Sequence, residues 1–311
     1  YQVATAVLNP ADITVPIRWM LRDQANATVI MAEVDGIDVP QHTLTLDGGS
    51  STVAWDYLIV ASGARHAYFG NPEWEANAPG LKSIEDALEM RRRFLLSFEA
   101  AERASAEGQR EALLTFVIVG GGPTGVELAG MIPEITRKAM KRDFRRIDPA
   151  SARVVLLEAG PRLLPQFPES LSARAERDLL ELGVEVRTNT AVTSVDDAGV
   201  TVASGERIDA HTVFWGAGNQ ASPLGKQLGA PLDRAGRVVV GPDLSLPTDP
   251  HVFAVGDINN YPGKKKLILS GFHEAALAAF AIAEHLNPAK KVHLQYTTTS
   301  PIMQKRLGVS E

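Results

Sequence analysis

The stretch TFVIVGGGPTGVELAG, residues 115–130, restricts what this 311-residue chain can fold into more than any other feature. Its apolar half, read back to LLTFVIV, has the length and β-branched content of a strand buried on both faces. Gly120, Gly122 and Gly125 then give G-x-G-x-x-G, and helix-forming residues follow. In such a unit the first glycine turns the chain and the second lets the backbone approach a pyrophosphate. The third lets helix and strand pack closely, while the helix N-terminus offers free N–H groups to the phosphates. Strand before and helix after are the context that gives the pattern meaning as a dinucleotide site; a glycine-rich hairpin loop is the plainer alternative.

The next apolar run, ARVVLLEAG at 152–160, carries an acid at Glu158, placed for ribose hydroxyls. An acid there favours NAD, because it would repel a 2′-phosphate; Arg162 lies close enough in sequence that NADPH is disfavoured only. The spacing is long, with Glu158 38 residues after Gly120 against about 20 in the usual unit. A solvated strand end is the other reading of Glu158.

Three further apolar runs end in small residues: YLIVASGA (57–64), TVFWGAG (212–218) and HVFAVGD (251–257). Residues 28–63, including TVIMAEV, read as β structure, and Ser83 with Asp86 forms a capping box for a helix carrying Ile84, Leu88, Leu95 and Phe98. A helix is expected over roughly 124–146, with Arg137, Lys138, Lys141, Arg142, Arg145 and Arg146 at its far end, and another over about 273–286. The basic cluster is a solvated face or an attractor of an anionic surface.

A net charge of −6 argues against nucleic acid as a partner. The absence of cysteine removes disulfides, thiolate metal sites and any dithiol step within the chain. No HExxH or similar ligand set is present, so no metal is expected. No apolar run approaches the roughly 18 residues of a membrane span. The first residue is Tyr1, with no strand before it, so the chain is read as starting inside a larger gene product.

The three small-residue ends around one glycine turn resemble the FAD- and NAD(P)-dependent two-dinucleotide-domain flavoproteins. Residues 1–258 are similar to the type II NADH dehydrogenases, single-subunit NADH:quinone oxidoreductases. The resemblance is carried by YQVATAVLNPADITVPIR, YFGNPEWEANAPGLKSIEDALEMRRRFL, GGGPTGVELAG and LLEAGPRLLPQFP. From about residue 259 the tail, NYPGKKKLILSGFHEAALAAFAIAEHLNPAKKVHLQYTTTSPIMQKRLGV, resembles a thioredoxin-reductase-like ferredoxin–NADP reductase instead. The paired glutamines and amphipathic membrane-binding helices of the quinone enzymes are not seen in that tail.

The resemblance implies an α/β fold of two interleaved Rossmann-like dinucleotide-binding domains, the first truncated at its N-terminus. Residues 1–66 and 250–311 are expected as the remnant of the FAD domain plus tail, and 67–249 as the NAD(P) domain. It implies NAD contacts from Gly120, Gly122, Gly125, Glu158, Ala217 and Gly218, and FAD contacts from Ser62, Gly63, Gly256 and Asp257. Glu127 is placed beside the nicotinamide and flavin, or is simply a helix residue packing near the turn. In the tail, His273 and Glu274 fall near the flavin in the ferredoxin reductase pattern. The implied function is electron transfer from NADH through FAD to a quinone. Two alternatives stand: a ferredoxin–NADP reductase, and an inert nucleotide-binding fragment that retains little FAD. A homodimer is left open. The family pattern places the protein in the cytoplasm, peripheral to the inner face of the cell membrane.

Overall fold

A computed structural model describes residues 1–289 and 300–308. The chain divides into two compact units, one of residues 1–30 and 65–219, the other of 31–64 and 220–311. The backbone therefore crosses from one unit to the other three times, which is the interleaving expected of the fold.

The first unit is built on a parallel four-stranded sheet. Its spatial order is Thr212–Trp215, Thr115–Val119, Arg153–Leu157, Glu185–Arg187. Alternate residues of each apolar run face opposite sides of a strand, so one run feeds two cores. Phe116, Ile118, Val154, Leu156 and Phe214 pack with Phe94, Phe98, Leu128 and Ile132, from the helices Ile84–Arg103 and Pro123–Lys138. Val117, Val119, Val155, Leu157, Val213 and Trp215 face the other way, onto Tyr68, Trp74 and the antiparallel meander of residues 192–209. Ser83 caps the helix at 84 as expected: its hydroxyl accepts from the Asp86 N–H at 3.1 Å, and Asp86 accepts from the Ser83 N–H at 2.9 Å.

The second unit holds an antiparallel sheet, Val34–Asp38, Thr43–Leu46 and Ser51–Ala54. Beside it is a mixed sheet in the order Ser245–Leu246, Asp249–Ala254, Leu58–Val60, and the helix Ile268–Leu286. Val60, Val252, Phe253, Ala254, Ile258 and Ala278 form its core.

The compact units fall at different borders from the 67–249 division read in the sequence. Val3 and Ala4 are buried among Phe94 and Phe116, and Leu8 accepts a hydrogen bond from Arg91 at 3.0 Å, so residues 1–30 belong with the parallel sheet. Gln227 accepts from the Ile37 N–H at 2.8 Å and donates to the Asp35 carbonyl at 3.1 Å, which draws 220–249 to the other unit. Two local expectations also shift. Residues 28–33 of TVIMAEV form no strand, because no neighbouring edge pairs with them; pairing begins at Val34. The helix expected to reach 146 ends at Lys138, and Glu102 accepts from the N–H groups of Arg145, Arg146 and Ile147, holding that segment as a loop.

Candidate functional site

In the first unit the glycine turn sits where three parallel strands end. Gly120 has φ +107°, and a Cβ there would lie 2.6 Å from the Ala217 nitrogen, so the turn and the WGAG strand end exclude any side chain between them. A Cβ on Gly125 would lie 1.9 Å from the Gly120 carbonyl oxygen, which is the close helix–strand approach read from the sequence. Gly122 differs: a Cβ there would meet nothing within 4 Å. The fold itself does not require a glycine at Gly122, and the free space lies at the N-terminus of the helix Pro123–Lys138. A cradle with open space at its second glycine fits a diphosphate bound by helix N-terminal amides.

Glu158 directly follows the strand Arg153–Leu157 and turns back onto this cradle. One carboxylate oxygen accepts from the Gly121 N–H and the other from the Gly160 N–H, both at 2.6 Å. The long sequence separation is thus absorbed by the helix and loop at 123–152, and the acid still reaches the turn. Gly218, at φ +69°, packs on Ala67 and Phe69, while Ala217 completes the floor beside Gly120. Arg162 is committed elsewhere, donating to the Phe167 and Pro165 carbonyls and to Ser172 Oγ. Glu127, in the first turns of the same helix, is exposed, and desolvation pushes its carboxyl above the usual carboxylate range.

In the second unit, Leu58–Val60 and Asp249–Ala254 run parallel, with Val60 opposite Ala254 and the Val255 N–H donated to the Val60 carbonyl at 3.0 Å. Ser62 and Gly63 follow the first of these strands, and Gly256 and Asp257 follow the second. Gly63 and Gly256 have φ +65° and +76°, with open space at both Cβ positions. Asp257 is exposed, and its side chain makes no hydrogen bond with the described residues. A strand-end cradle with an unengaged acid fits the polar part of a flavin dinucleotide.

Sequence reading did not reveal what holds this second loop. Glu274, wholly buried, accepts from the Gly256 N–H at 2.7 Å, from Asn259 Nδ2 at 3.0 Å and from the Tyr261 hydroxyl at 3.0 Å. Lys264 pairs with Glu274 at 2.6 Å and donates to the Gly256 carbonyl at 2.7 Å. The Gly256 amide is therefore already donated, and Gly256 can offer a ligand close backbone approach but not its N–H. Lys264 lies within a KKK run that resembles a solvated patch, and Glu274 adjoins His273 in a helix whose pattern is apolar. The buried member of such a run is visible only in three dimensions.

The model of the family "Pyridine nucleotide-disulphide oxidoreductase" matches residues 3–281. The chain belongs to that family. It is a family of FAD-dependent flavoproteins that use a pyridine nucleotide. The type II NADH:quinone oxidoreductase NdhA of Mycobacterium tuberculosis is 43% identical over 312 residues, covering 95% of this chain and 66% of the relative. Ferredoxin–NADP reductase 2 of Cupriavidus pinatubonensis is 40% identical over 198 residues, covering 62% of this chain and 50% of the relative. Among solved structures, NDH2 from Plasmodium falciparum in complex with NADH shares the fold with a TM-score of 0.72. It has 23% identity and covers 83% of this chain and 56% of that one. The chain spans about two thirds of the length of the curated mycobacterial relative. The fold class is as expected, a two-dinucleotide-domain flavoprotein fold. Among the described residues no helix is long and apolar enough to cross a membrane.

Proposed function

We propose that this chain is the nucleotide-handling part of an FAD-dependent NADH:quinone oxidoreductase. The observation that carries the choice of NADH is Glu158, whose carboxylate is fixed by two backbone N–H groups beside the glycine turn. An acid so held accepts from ribose hydroxyls and repels a 2′-phosphate, and Arg162 is not free to reverse that preference. Gly120, Gly122 and Gly125 bind the NADH diphosphate, with Ala217 and Gly218 forming the edge of the site. Ser62, Gly63 and Asp257 would hold FAD, which when bound supplies the hydride-accepting chemistry. Lys264 and Glu274 fix the loop that presents Asp257. Glu127 holds or releases a proton near the nicotinamide end, a role its raised carboxyl suits. The acceptor is a quinone at the inner membrane face, where the protein is peripheral, and a homodimer is the assembly to test.

The test is the affinity of the purified chain for NADH and NADPH by titration calorimetry. NADH should bind more tightly, and Glu158→Ala should weaken NADH while narrowing the difference. Tighter binding of NADPH would overturn the reading. That result would favour the second one, a ferredoxin–NADP reductase, which the 40% identity of the Cupriavidus enzyme over 198 residues supports.

A further inference from the structure

His42, Asp249 and His251 belong to neither cradle, and no step of the proposed reaction uses them. Their ligand atoms all fall within 4.8 Å of one another. Asp249 Oδ1 is 3.2 Å from His251 Nδ1, and Asp249 Oδ2 is 4.0 Å from His42 Nε2. We propose that these three side chains form a divalent transition-metal site, of zinc type, in the second unit.

Two imidazoles and one carboxylate are the donor set of a zinc centre that leaves its fourth position to water. Calcium and magnesium, which want oxygen donors, are poorly served by it. With bonds of about 2.0–2.1 Å, tetrahedral ligand atoms stand roughly 3.3 Å apart, so the His251–Asp249 edge is already formed and His42 must approach by about an ångström. The donors are oriented before any ion arrives. The His251 N–H donates to Asp249 Oδ1 at 2.8 Å, fixing the carboxylate against its own strand. The His42 ring stacks on Trp55 at 4.2 Å with 8° between the planes, which sets its orientation. His42 also has φ +50°, an uncommon conformation for a non-glycine residue, kept while the Trp55 N–H donates to its carbonyl at 3.0 Å. Among the described residues no lysine or arginine pairs with Asp249; its only ionic partners are the two histidines. An ion can reach the cluster, because His251 also lines an open hollow of about 610 Å³ with Tyr57, Glu284 and His285.

Asp249 and His251 begin the strand that ends before Gly256, while His42 lies just before the hairpin strand Thr43–Leu46. A bound ion would tie these two sheets at the end of the strand remote from the Asp257 loop. Its effect is therefore on the stability of this unit rather than on nucleotide binding.

The experiment is titration of zinc chloride into the untagged, metal-stripped full chain by calorimetry, with thermal unfolding measured with and without zinc. One zinc per chain and a raised melting temperature are expected. His42→Asn, which tolerates the left-handed backbone, and His251→Ala should each weaken binding about tenfold or more. His211→Ala, a surface control in the other unit, should leave it unchanged. Circular dichroism of each variant establishes that it is folded, and NADH titration of each should match the parent. No binding in the folded parent, or equal binding in the folded double variant His42→Asn/His251→Ala, overturns the proposal. A proton-linked His–Asp–His cluster without metal affinity would give the first of these outcomes.

Discussion

Gly122 and Gly125 stand three residues apart and answer to different demands. Gly125 is required by the fold, since a Cβ would collide with the Gly120 carbonyl at 1.9 Å. Gly122 is not required by packing, since its Cβ space is empty, and the proposed diphosphate is what would need it. Gly125→Ala should therefore cost about 1–3 kcal/mol of stability in denaturant unfolding, the range for overpacking a tight contact. Gly122→Ala should unfold like the parent but lose NADH affinity tenfold or more in a fluorescence titration, because the methyl group occupies the diphosphate's approach. A variant at Gly122 that binds NADH as the parent does would remove the diphosphate from this cradle. Both glycines were legible from spacing alone; which of them the fold itself requires was not, because that depends on what lies opposite each Cβ.

At the scale of elements, the strand Asp249–Ala254, the loop at Gly256–Asp257 and the helix Ile268–Leu286 are coupled through the buried Lys264–Glu274 pair, 4% and 0% exposed. Burial pushes the Glu274 carboxyl up, but hydrogen bonds from Lys264, the Gly256 N–H and Tyr261 outweigh it and hold the group below its ordinary range. A carboxyl depressed in the folded state adds stability above its unfolded value, about 4.3, and that stability is lost as pH falls through the folded value. The parent should thus lose stability on acidification below about pH 4.3 more steeply than Glu274→Gln, the difference in urea unfolding between the two isolating this group. Lys264→Met should cost about 3–5 kcal/mol at neutral pH, because it leaves the Glu274 charge buried without its partner. Equal acid sensitivity in parent and Glu274→Gln would show that the pair does not stabilise this loop. The same scale shows why helix ends were only partly readable. The Ser83–Asp86 box lies within four residues and was evident. Beyond Lys138, residues 145–147 are held out of the helix by Glu102, which captures three N–H groups more than forty residues away.

At the scale of the molecule, a chain that crosses three times between its units assembles each from distant segments. Binding at the cradle should then be visible as global stabilisation. NADH at about 100 times its dissociation constant should stabilise the first unit by about 2.7 kcal/mol, read as a rise in melting temperature that equimolar NADPH does not match. Absence of any shift with NADH would mean that the folded cradle does not hold the nucleotide. The sequence by itself determined the strand–glycine turn–helix unit, the acid that follows it and the three small-residue strand ends. Each is enforced by local sterics: buried strands need continuous apolar runs, and a tight turn needs residues without a Cβ. Tertiary structure alone decided that Glu158 closes onto Gly121, that one lysine of three is buried against Glu274, and that residues 1–30 join the parallel sheet. It also decided that His42 meets Asp249 and His251, two residues apart on one strand. Those outcomes depend on which groups face each other across packed elements, and no short-range rule of spacing contains that distance.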